Sequence, residues 1–586
     1  MPLGPSTDAP LERDLYDLTA RLVLKDGGPI PRIVNPEPVS YASGRKDTFR
    51  VTDISNRTVH SVTATLHIVT PHAYWYVDDA VQFTPSALER ASSRFEEVIY
   101  PRVTAVFGAE LSPGIDNDVH MTILHTPLNG VAGYFSGADE YPVLVHPQSN
   151  QRDMFYLDVA GLPIGSESYL GTLAHEFTHA VQFRADAAEA GWVNEGLAEF
   201  GKRVAGYTPS FQGMYLFNPP VSLVNWPLSL GSTGPYYGAA SLFMDYLAGQ
   251  FGVSGMGALM EEQADSLEGV TRYLAQEGDG RTLRQVFADW LVANYLDDAG
   301  GGPYGYPDGV AGGIQSRQLR AGETVSDAVP QYAARYFGLP TSDQGLRLTF
   351  RGRPQTPLIP ARPPSGERCW WGNQGDSIDA MLTGRFALEQ GKPAALEFSM
   401  WYEIEEGWDF AYVEASTDGG KTWDILPGQH TVEQDALQNA FGPGYTGSSG
   451  GWLQERIDLS SYSGQTIFLR FEYVTDDAIH GMGLCIDDIA VSGAGFQDDA
   501  ESAAGEWQAQ GFVRAAHQTP QEYLLRLVTT DSQGARVTDF PVDAEGRAVV
   551  SVDATAQAGA AVLIVAALND LTQQPASFTL EMAALP

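Results

Sequence analysis

Positive charge is scarce in this chain: 35 Lys and Arg stand against 73 Asp and Glu among 586 residues, a formal charge of -38. No basic surface is left to neutralise phosphates or to seek anionic lipid, which argues against nucleic acid and membrane surfaces as partners. Long apolar runs are missing as well, and none approaches the roughly 20 residues that a bilayer span needs. Yet 43% of the residues are hydrophobic, the share of a folded, soluble globular protein. Cysteine occurs only twice, as Cys369 and Cys485, which fits either redox compartment. The first thirty residues lack the basic start, apolar middle and small-residue cleavage site of an export signal. Short-period repeats and extended low-complexity tracts are also absent. The length exceeds what one core fills, and at roughly 100–200 residues per domain it implies three or four domains.

What is present changes character along the chain. DTFRVTD from Asp47 alternates apolar and polar residues, and the run from Val62 to Val77 is rich in β-branched and aromatic residues, so the opening predicts sheet. From Leu88 apolar residues recur at helical spacing, and strands are expected at Val119–His125 and Tyr141–His146. Ser168–Arg184 has no Pro, and Leu173, Phe177, Ala180 and Val181 recur on one helical face, predicting a buried helix. Further helices are expected from Ala239 and from Arg281. Between about Gly300 and Ser365, Gly and Pro are frequent, with PDGVAGG from Pro307 and ARPPSGE from Ala361 marking a loop-rich connection. Beyond it strands dominate (AALEFSMWYEI, FAYVEAST, TIFLRFEYV, IDDIAVSG), which predicts a jelly roll or sandwich, and three more strands follow Gln497.

Chemistry concentrates in HEFTH, His175 to His179. Two imidazoles four residues apart stand one turn apart on one helix face and can bind a single zinc ion. Glu176, beside the first of them, is placed to take a proton from an attacking water. With eleven His, such a motif arises by chance in about one sequence in a hundred of this composition. The apolar helix sharpens the reading, because three titratable residues would otherwise be costly to bury there; a salt-bridged His–Glu cluster is the alternative. Zinc needs a further ligand. Sixteen residues after His179, GWVNEGLAEF places Glu195 and Glu199 on one helix face between apolar Trp192, Val193, Leu197 and Phe200. Glu195 is assigned to the metal and Glu199 to a hydrogen bond that orients a ligand His; the alternative is a solvated acidic face.

HEFTH followed by WVNEGLAEF resembles the gluzincin metalloproteases, in which an H-E-x-x-H helix is completed by a Glu on a following helix. The resemblance supports Glu195 over Glu199 as third ligand, and the spacing, shorter than in thermolysin-like enzymes, is closer to the hyicolysin-like group. An oxyanion donor is then expected from TGPYYGAASLF, as Tyr236 or Tyr237, although Pro235 occupies the place where the family's Tyr would stand; packed aromatics are the alternative. GVAGYFSG (130–137) could be an edge strand that pairs with an extended substrate, or a hairpin. CWWGNQGDSIDAML, WYEIEEGWDFAYVEASTDGGKTW and GLCIDDIAVSG strongly resemble the C-terminal module of immune inhibitor A metalloproteases, over roughly residues 365–580. The catalytic signature does not follow that family, because HAVQFRADAAEAG replaces its compact third-ligand segment.

In the β module, GNQGDSID brings Asp376 and Asp379 near one another, and IDDI does the same for Asp487 and Asp488. Asp376 and Asp488 are candidate calcium ligands, with solvated turns as the alternative. Cys369 and Cys485 flank the module, and a bond between them would contribute about 4–5 kcal/mol in the chain-entropy model; two buried thiols are the alternative. The expected architecture is multidomain. A β-rich segment, 1–80, is prodomain-like or part of the catalytic domain; an α+β zincin-like peptidase domain spans 81–335, a β jelly roll 336–495 and a C-terminal β segment 496–586. The expected activity is a secreted zinc endopeptidase acting on proteins or peptides, its leader absent from this chain, its β modules stabilising the enzyme or binding a polymer or surface. An aminopeptidase of the same clan, and an inactive adhesion protein on a protease scaffold, are the competing readings.

Overall fold

The alternating and β-branched stretches of the opening pair with one another. In the computed structural model, which describes residues 8–25, 28–298, 302–306, 313–433, 436–502, 507–553 and 560–585, β1 (Lys46–Asp53), β2 (Thr58–Val69) and β3 (Ala73–Asp78) form consecutive antiparallel neighbours. A helical stretch follows, α1 (Pro85–Arg94) and α2 (Tyr100–Phe107), and then β4 (Met121–Thr126), β5 (Gly133–Phe135) and β6 (Met154–Asp158). The six strands make one sheet in the order β1-β2-β3-β4-β6-β5, with β3, β4 and β6 parallel and β5 antiparallel at the edge. Residues 1–80 therefore include three strands of the same sheet that leads into the HEFTH helix, rather than a separable segment. The expected strand at Tyr141–His146 is a turn instead, with the N–H groups of Val145 and His146 both donating to the Pro142 carbonyl. Its place in the sheet is taken by β6.

Two helices follow in succession, α3 (Glu167–Ala185) and α4 (Gly191–Ala205). Ser166 caps α3 by accepting from the Tyr169 N–H, and Leu173, Phe177, Ala180 and Val181 are buried as their spacing implies. Gly206, in the left-handed region at φ 96°, ends α4.

The chain divides into two compact units, and neither matches the expected boundaries. The first comprises Met1–Pro209, Met260–Gln263 and Pro363–Ala515; the second comprises Ser210–Leu259, Ala264–Arg362 and Ala516–Pro586. In the second unit, α5 (Gly234–Phe251) and α6 (Leu283–Leu296) form where helical periodicity predicts them, and Thr282 and Gln285 make a capping box at α6. The stretch expected to be a connection contains strands β7 (Thr324–Val329), β8 (Ala333–Gly338) and β9 (Leu346–Gly352). Its PDGVAG segment (307–312) lies outside the described residues.

Back in the first unit, β10 (Arg368–Trp371), β11 (Ile378–Ala387), β12 (Ala395–Glu403), β13 (Phe410–Ser416), β14 (Leu453–Asp458), β15 (Thr466–Val474) and β16 (Gly483–Val491) build a two-sheet antiparallel sandwich. One sheet orders β11-β15-β13, the other β14-β12-β16-β10, and Leu382, Leu396, Phe398, Leu469, Phe471 and Ile486 lie in the core between them. Strands at Phe496–Asp498, Trp507–Gln510 and Val513–Ala516 also join these sheets, so the sandwich continues past the expected boundary at 495. Cys369 and Cys485 are bonded across neighbouring strands.

The remaining strands, β17 (Glu522–Asp531), β18 (Gly534–Phe540), β19 (Arg547–Val552), β20 (Ala560–Leu568) and β21 (Ala576–Ala584), do not form a domain of their own. They complete two sheets with the earlier strands of the second unit, β18-β17-β20-β8 and β19-β9-β21-β7, around a core that includes Phe337, Leu348, Phe350, Leu563 and Phe578. Such partners lie some two hundred residues apart in the chain, and alternation alone does not reveal them.

Candidate metal centre

The HEFTH residues stand near the middle of α3, where the backbone is fully hydrogen-bonded and the side chains are fixed by packing. His175 and His179 turn their Nε2 atoms toward each other at 3.1 Å. Glu195, in the second turn of α4, brings Oε2 to 3.1 Å from His175 Nε2 and 3.5 Å from His179 Nε2. These three side chains bring donor atoms within 4.8 Å of one another, the one such group of His, Cys, Asp and Glu among the described residues. Two imidazole nitrogens and a carboxylate oxygen, converging on one point from two buried helices, are the donor set of a catalytic zinc site, which keeps a fourth position open. The residues present therefore fit the ion.

Helix approach makes this convergence. Gly201 of α4 faces Thr178 of α3 so closely that a β-carbon there would lie 2.1 Å from Thr178 Oγ1. Thr178 is wholly buried and its hydroxyl donates back to the Ala174 carbonyl at 2.7 Å. Only glycine lets the two backbones pass at this distance.

Further polar side chains hold the two imidazoles. Glu199 Oε1 lies 3.3 Å from His175 Nδ1 and accepts from Lys202 Nζ at 2.9 Å. His179 Nδ1 lies 2.7 Å from Asn194 Oδ1 and 3.0 Å from Gln182 Oε1, and Gln182 Nε2 donates to the Asn194 carbonyl at 2.9 Å. Asn194, Gln182 and Lys202 were not singled out by sequence reasoning. Their signals were local: Asn194 precedes Glu195, Gln182 is one turn beyond His179, and Lys202 is one turn beyond Glu199.

The electrostatics follow from burial. For His175, desolvation opposes the charged form, but the carboxylates of Glu195 and Glu199 outweigh it and hold the pKa up to about 10. For Glu195, desolvation is outweighed by the two imidazoles, which hold its carboxyl well below the usual range. Glu176, 4% exposed, is pushed upward by burial. Its Oε1 lies against Gly133 of β5, where a β-carbon would come within 2.8 Å. The edge strand thus passes beside the Glu176 carboxylate.

The remaining candidates are dispersed. Tyr236 and Tyr237 stand in the first turn of α5, in the second unit, both half-buried against Trp226 with ring centroids at 6.0 and 4.8 Å. Asp376 and Asp488 are not gathered at one point. Asp488 is exposed and accepts from Ser365 Oγ at 2.8 Å, whereas Asp376 is buried, with Oδ1 2.6 Å from His480 Nδ1. Asp379 lies in a third place, 3.3 Å from Arg21, whose guanidinium also donates to Glu472.

No helix among the described residues is long and apolar enough to cross a membrane. The chain is 31% identical over 169 residues to the pre-pro-metalloprotease PrtV of Vibrio cholerae serotype O1 (strain M66-2), covering 28% of this chain and 18% of that protein. It is 30% identical over 156 residues to Immune inhibitor A of Bacillus thuringiensis subsp. alesti (26% and 21%), and 33% identical over 97 residues to Bacillopeptidase F of Bacillus subtilis strain 168 (17% and 6%). The chain thus spans about a fifth or less of the length of these relatives. Residues 351–517, which include the sandwich, match the family model of the immune inhibitor A-like MAM domain, a shorter stretch than the roughly 365–580 over which the sequence was expected to resemble that family's C-terminal module.

Proposed function

We propose that this chain is a secreted zinc-dependent endopeptidase with His175, His179 and Glu195 as ligands and Glu176 as general base. The observation that supports this most is the convergence of two imidazoles and a carboxylate beside a further buried carboxylate, Glu176, that lies against the edge strand. When bound, zinc supplies a Lewis acid that polarises a scissile carbonyl and lowers the pKa of water to about 7. Glu176 takes a proton from the attacking water and returns it to the leaving amine, so no covalent intermediate is needed. Among the described residues strand β5 pairs on one side only, with β6, and its other side offers backbone groups along which an extended peptide can align. Glu199 and Asn194 hold the ring orientations of His175 and His179, and Lys202 balances the buried charge of Glu199. Relatives named as metalloprotease and immune inhibitor support a peptidase setting.

Elemental mass spectrometry of wild type, Glu195→Ala and Glu199→Ala tests the site. One zinc per chain is expected, lost with Glu195→Ala and largely kept with Glu199→Ala. Glu176→Gln should keep zinc and lose hydrolysis of casein, and peptides blocked at both ends should be cut. A wild-type chain without zinc after reconstitution overturns the reading; trimming of free amino termini alone would make the enzyme an aminopeptidase.

A further inference from the structure

Helix α4 holds the third ligand, yet its own sequence leaves its start poorly secured. Its N-cap position is Ala190, which has no side-chain oxygen to accept from the first-turn N–H groups. The carbonyl of Ala190 takes the N–H groups of Val193 and Asn194. The Gly191 N–H instead donates to Asp376 Oδ2 at 2.7 Å, from a residue 185 positions away in the β sandwich. Both residues belong to the first unit.

Asp376 is itself held from several directions. It is 7% exposed, and its other oxygen lies 2.6 Å from His480 Nδ1. The loop that contains it is braced to the loop of His480: the Ser377 N–H donates to the Asp476 carbonyl at 2.5 Å, and Thr475 Oγ1 donates to the Gly375 carbonyl at 2.9 Å. Two loops of the sandwich thus hold a carboxylate on the start of the ligand helix. A negative charge there also meets the positive end of the helix dipole.

The first two turns of α4 are the ones the metal centre depends on. Asn194, which orients His179, and Glu195, which points between both imidazoles, are its fourth and fifth residues. We propose that Asp376, braced by His480, is a positioning residue that secures the start of α4 and thereby fixes Glu195 and Asn194 for metal binding. The sandwich is then a structural part of the metal centre rather than an appended module. This rests on the zinc reading above.

A purely structural role for Asp376 makes a different prediction. Asp409 is buried near it and Glu405 half-buried, their carboxyls pushed up to about 7 and about 11 by burial and by neighbouring carboxylates that include Asp376. Removing its charge relieves part of that repulsion but also takes the carboxylate away from His480, so the stability of the sandwich and the binding of zinc are read separately. The metal centre should be weakened even where the sandwich is not.

The test is competition of the full-length chain against a zinc chelator, with cobalt(II) absorption as a second readout of ligand geometry. Wild type, Asp376→Asn, Asp376→Ala and His480→Gln are compared, with the exposed Asp488→Asn as control. The proposal expects zinc affinity to fall about tenfold in Asp376→Ala, the lower end of what loss of an orienting partner costs, and less in Asp376→Asn, which keeps an oxygen acceptor. The cobalt spectrum should change in both, while Asp488→Asn is unaltered. Asp376→Asn keeps the fold interpretable if Asp376→Ala or His480→Gln unfolds. Wild-type affinity and spectrum retained in a folded Asp376→Asn and Asp376→Ala overturn the proposal and leave the zinc reading standing. Failure of wild type to bind zinc or cobalt overturns both.

Discussion

The close passage of α3 and α4 at Gly201 gives a single-atom test of how the centre is built. In an ordinary helix interior, Gly→Ala is favourable by about 1 kcal/mol, because alanine loses less backbone freedom on folding. At Gly201 the added methyl would sit 2.1 Å from Thr178 Oγ1, 2.9 Å from its Cβ and 3.0 Å from its Cγ2. To restore ordinary contact at 3.4 Å or more, the helices must separate by about 1 Å or Thr178 must turn away. Turning is costly, since the side chain is wholly buried and its hydroxyl is bonded to Ala174. Overpacking of this kind costs about 1–3 kcal/mol, enough to reverse the propensity gain. The displaced helix is the one that bears Glu195 and Glu199, so the damage should reach the metal. Gly201→Ala is expected to lower the urea midpoint and to weaken zinc about tenfold by chelator competition. Adding Thr178→Ala removes two of the three colliding atoms and should recover part of both losses, with a coupling of about 0.5–3 kcal/mol. If Gly201→Ala unfolds at the same or a higher urea concentration and keeps wild-type zinc affinity, the close approach is not what builds the site.

Other consequences concern buried charge. Arg21 is 8% exposed and faces three carboxylates of the sandwich, Glu472, Glu414 and Asp379. Arg21→Met should therefore destabilise by about 3–5 kcal/mol in calorimetry, the cost of leaving buried charge without its partner, and Arg21→Met with Glu472→Gln should recover part of it; an unchanged melting profile would refute the pairing. Asp153 is pushed up to about 8, first by burial and then by the Glu110 charge, from an ordinary value of 3.8. Between those values the folded state holds a proton that the unfolded state has released, so this group makes stability fall as pH rises from about 4 to about 8. Asp153→Asn should raise the thermal midpoint at pH 8 more than at pH 5; equal shifts at both would show that Asp153 does not titrate in that window.

Much of the candidate centre was legible because its geometry is local. His175 and His179 share a helix face by spacing alone, and Glu195 with Glu199 repeats the pattern on the next helix. The strands of both sandwiches were legible as strands for the same reason, since alternation is a property of a short window. Their partners were not. β9 pairs with β19 and β21, about two hundred residues on, and nothing within Leu346–Gly352 names either. That is why a stretch rich in Gly and Pro was expected to be a linker although it supplies three strands to a sandwich. At Tyr141–His146 the apolar alternation was real, but the segment lies in the connection between β5 and β6, where Gly137–Glu140 form a short 3-10 helix and Pro142 begins a turn.

The support that sequence could not reveal falls where local structure is weakest. His175 and His179 are the ninth and thirteenth residues of a nineteen-residue helix, so each has full turns on either side and its backbone is fixed from within. Glu195 is the fifth residue of α4, near an end where the helix backbone supplies fewer acceptors for the N–H groups than its middle does. Helix ends open at lower free energy than helix centres. A ligand there would lose its position each time the first turn opens, and a metal held as proposed would lose a third of its protein donors with it. Glycine at position 191 adds no stiffness, and alanine at 190 adds no cap. Part of what holds this turn comes from elsewhere in the fold. The contact that arrives is a buried carboxylate from the sandwich, while Gln182, on α3 itself, takes hold of the same turn at Asn194 from the other side. On the proposed reading, a metal site made from two helices and a capped end draws its precision from three segments, and only two of them are close together in the chain.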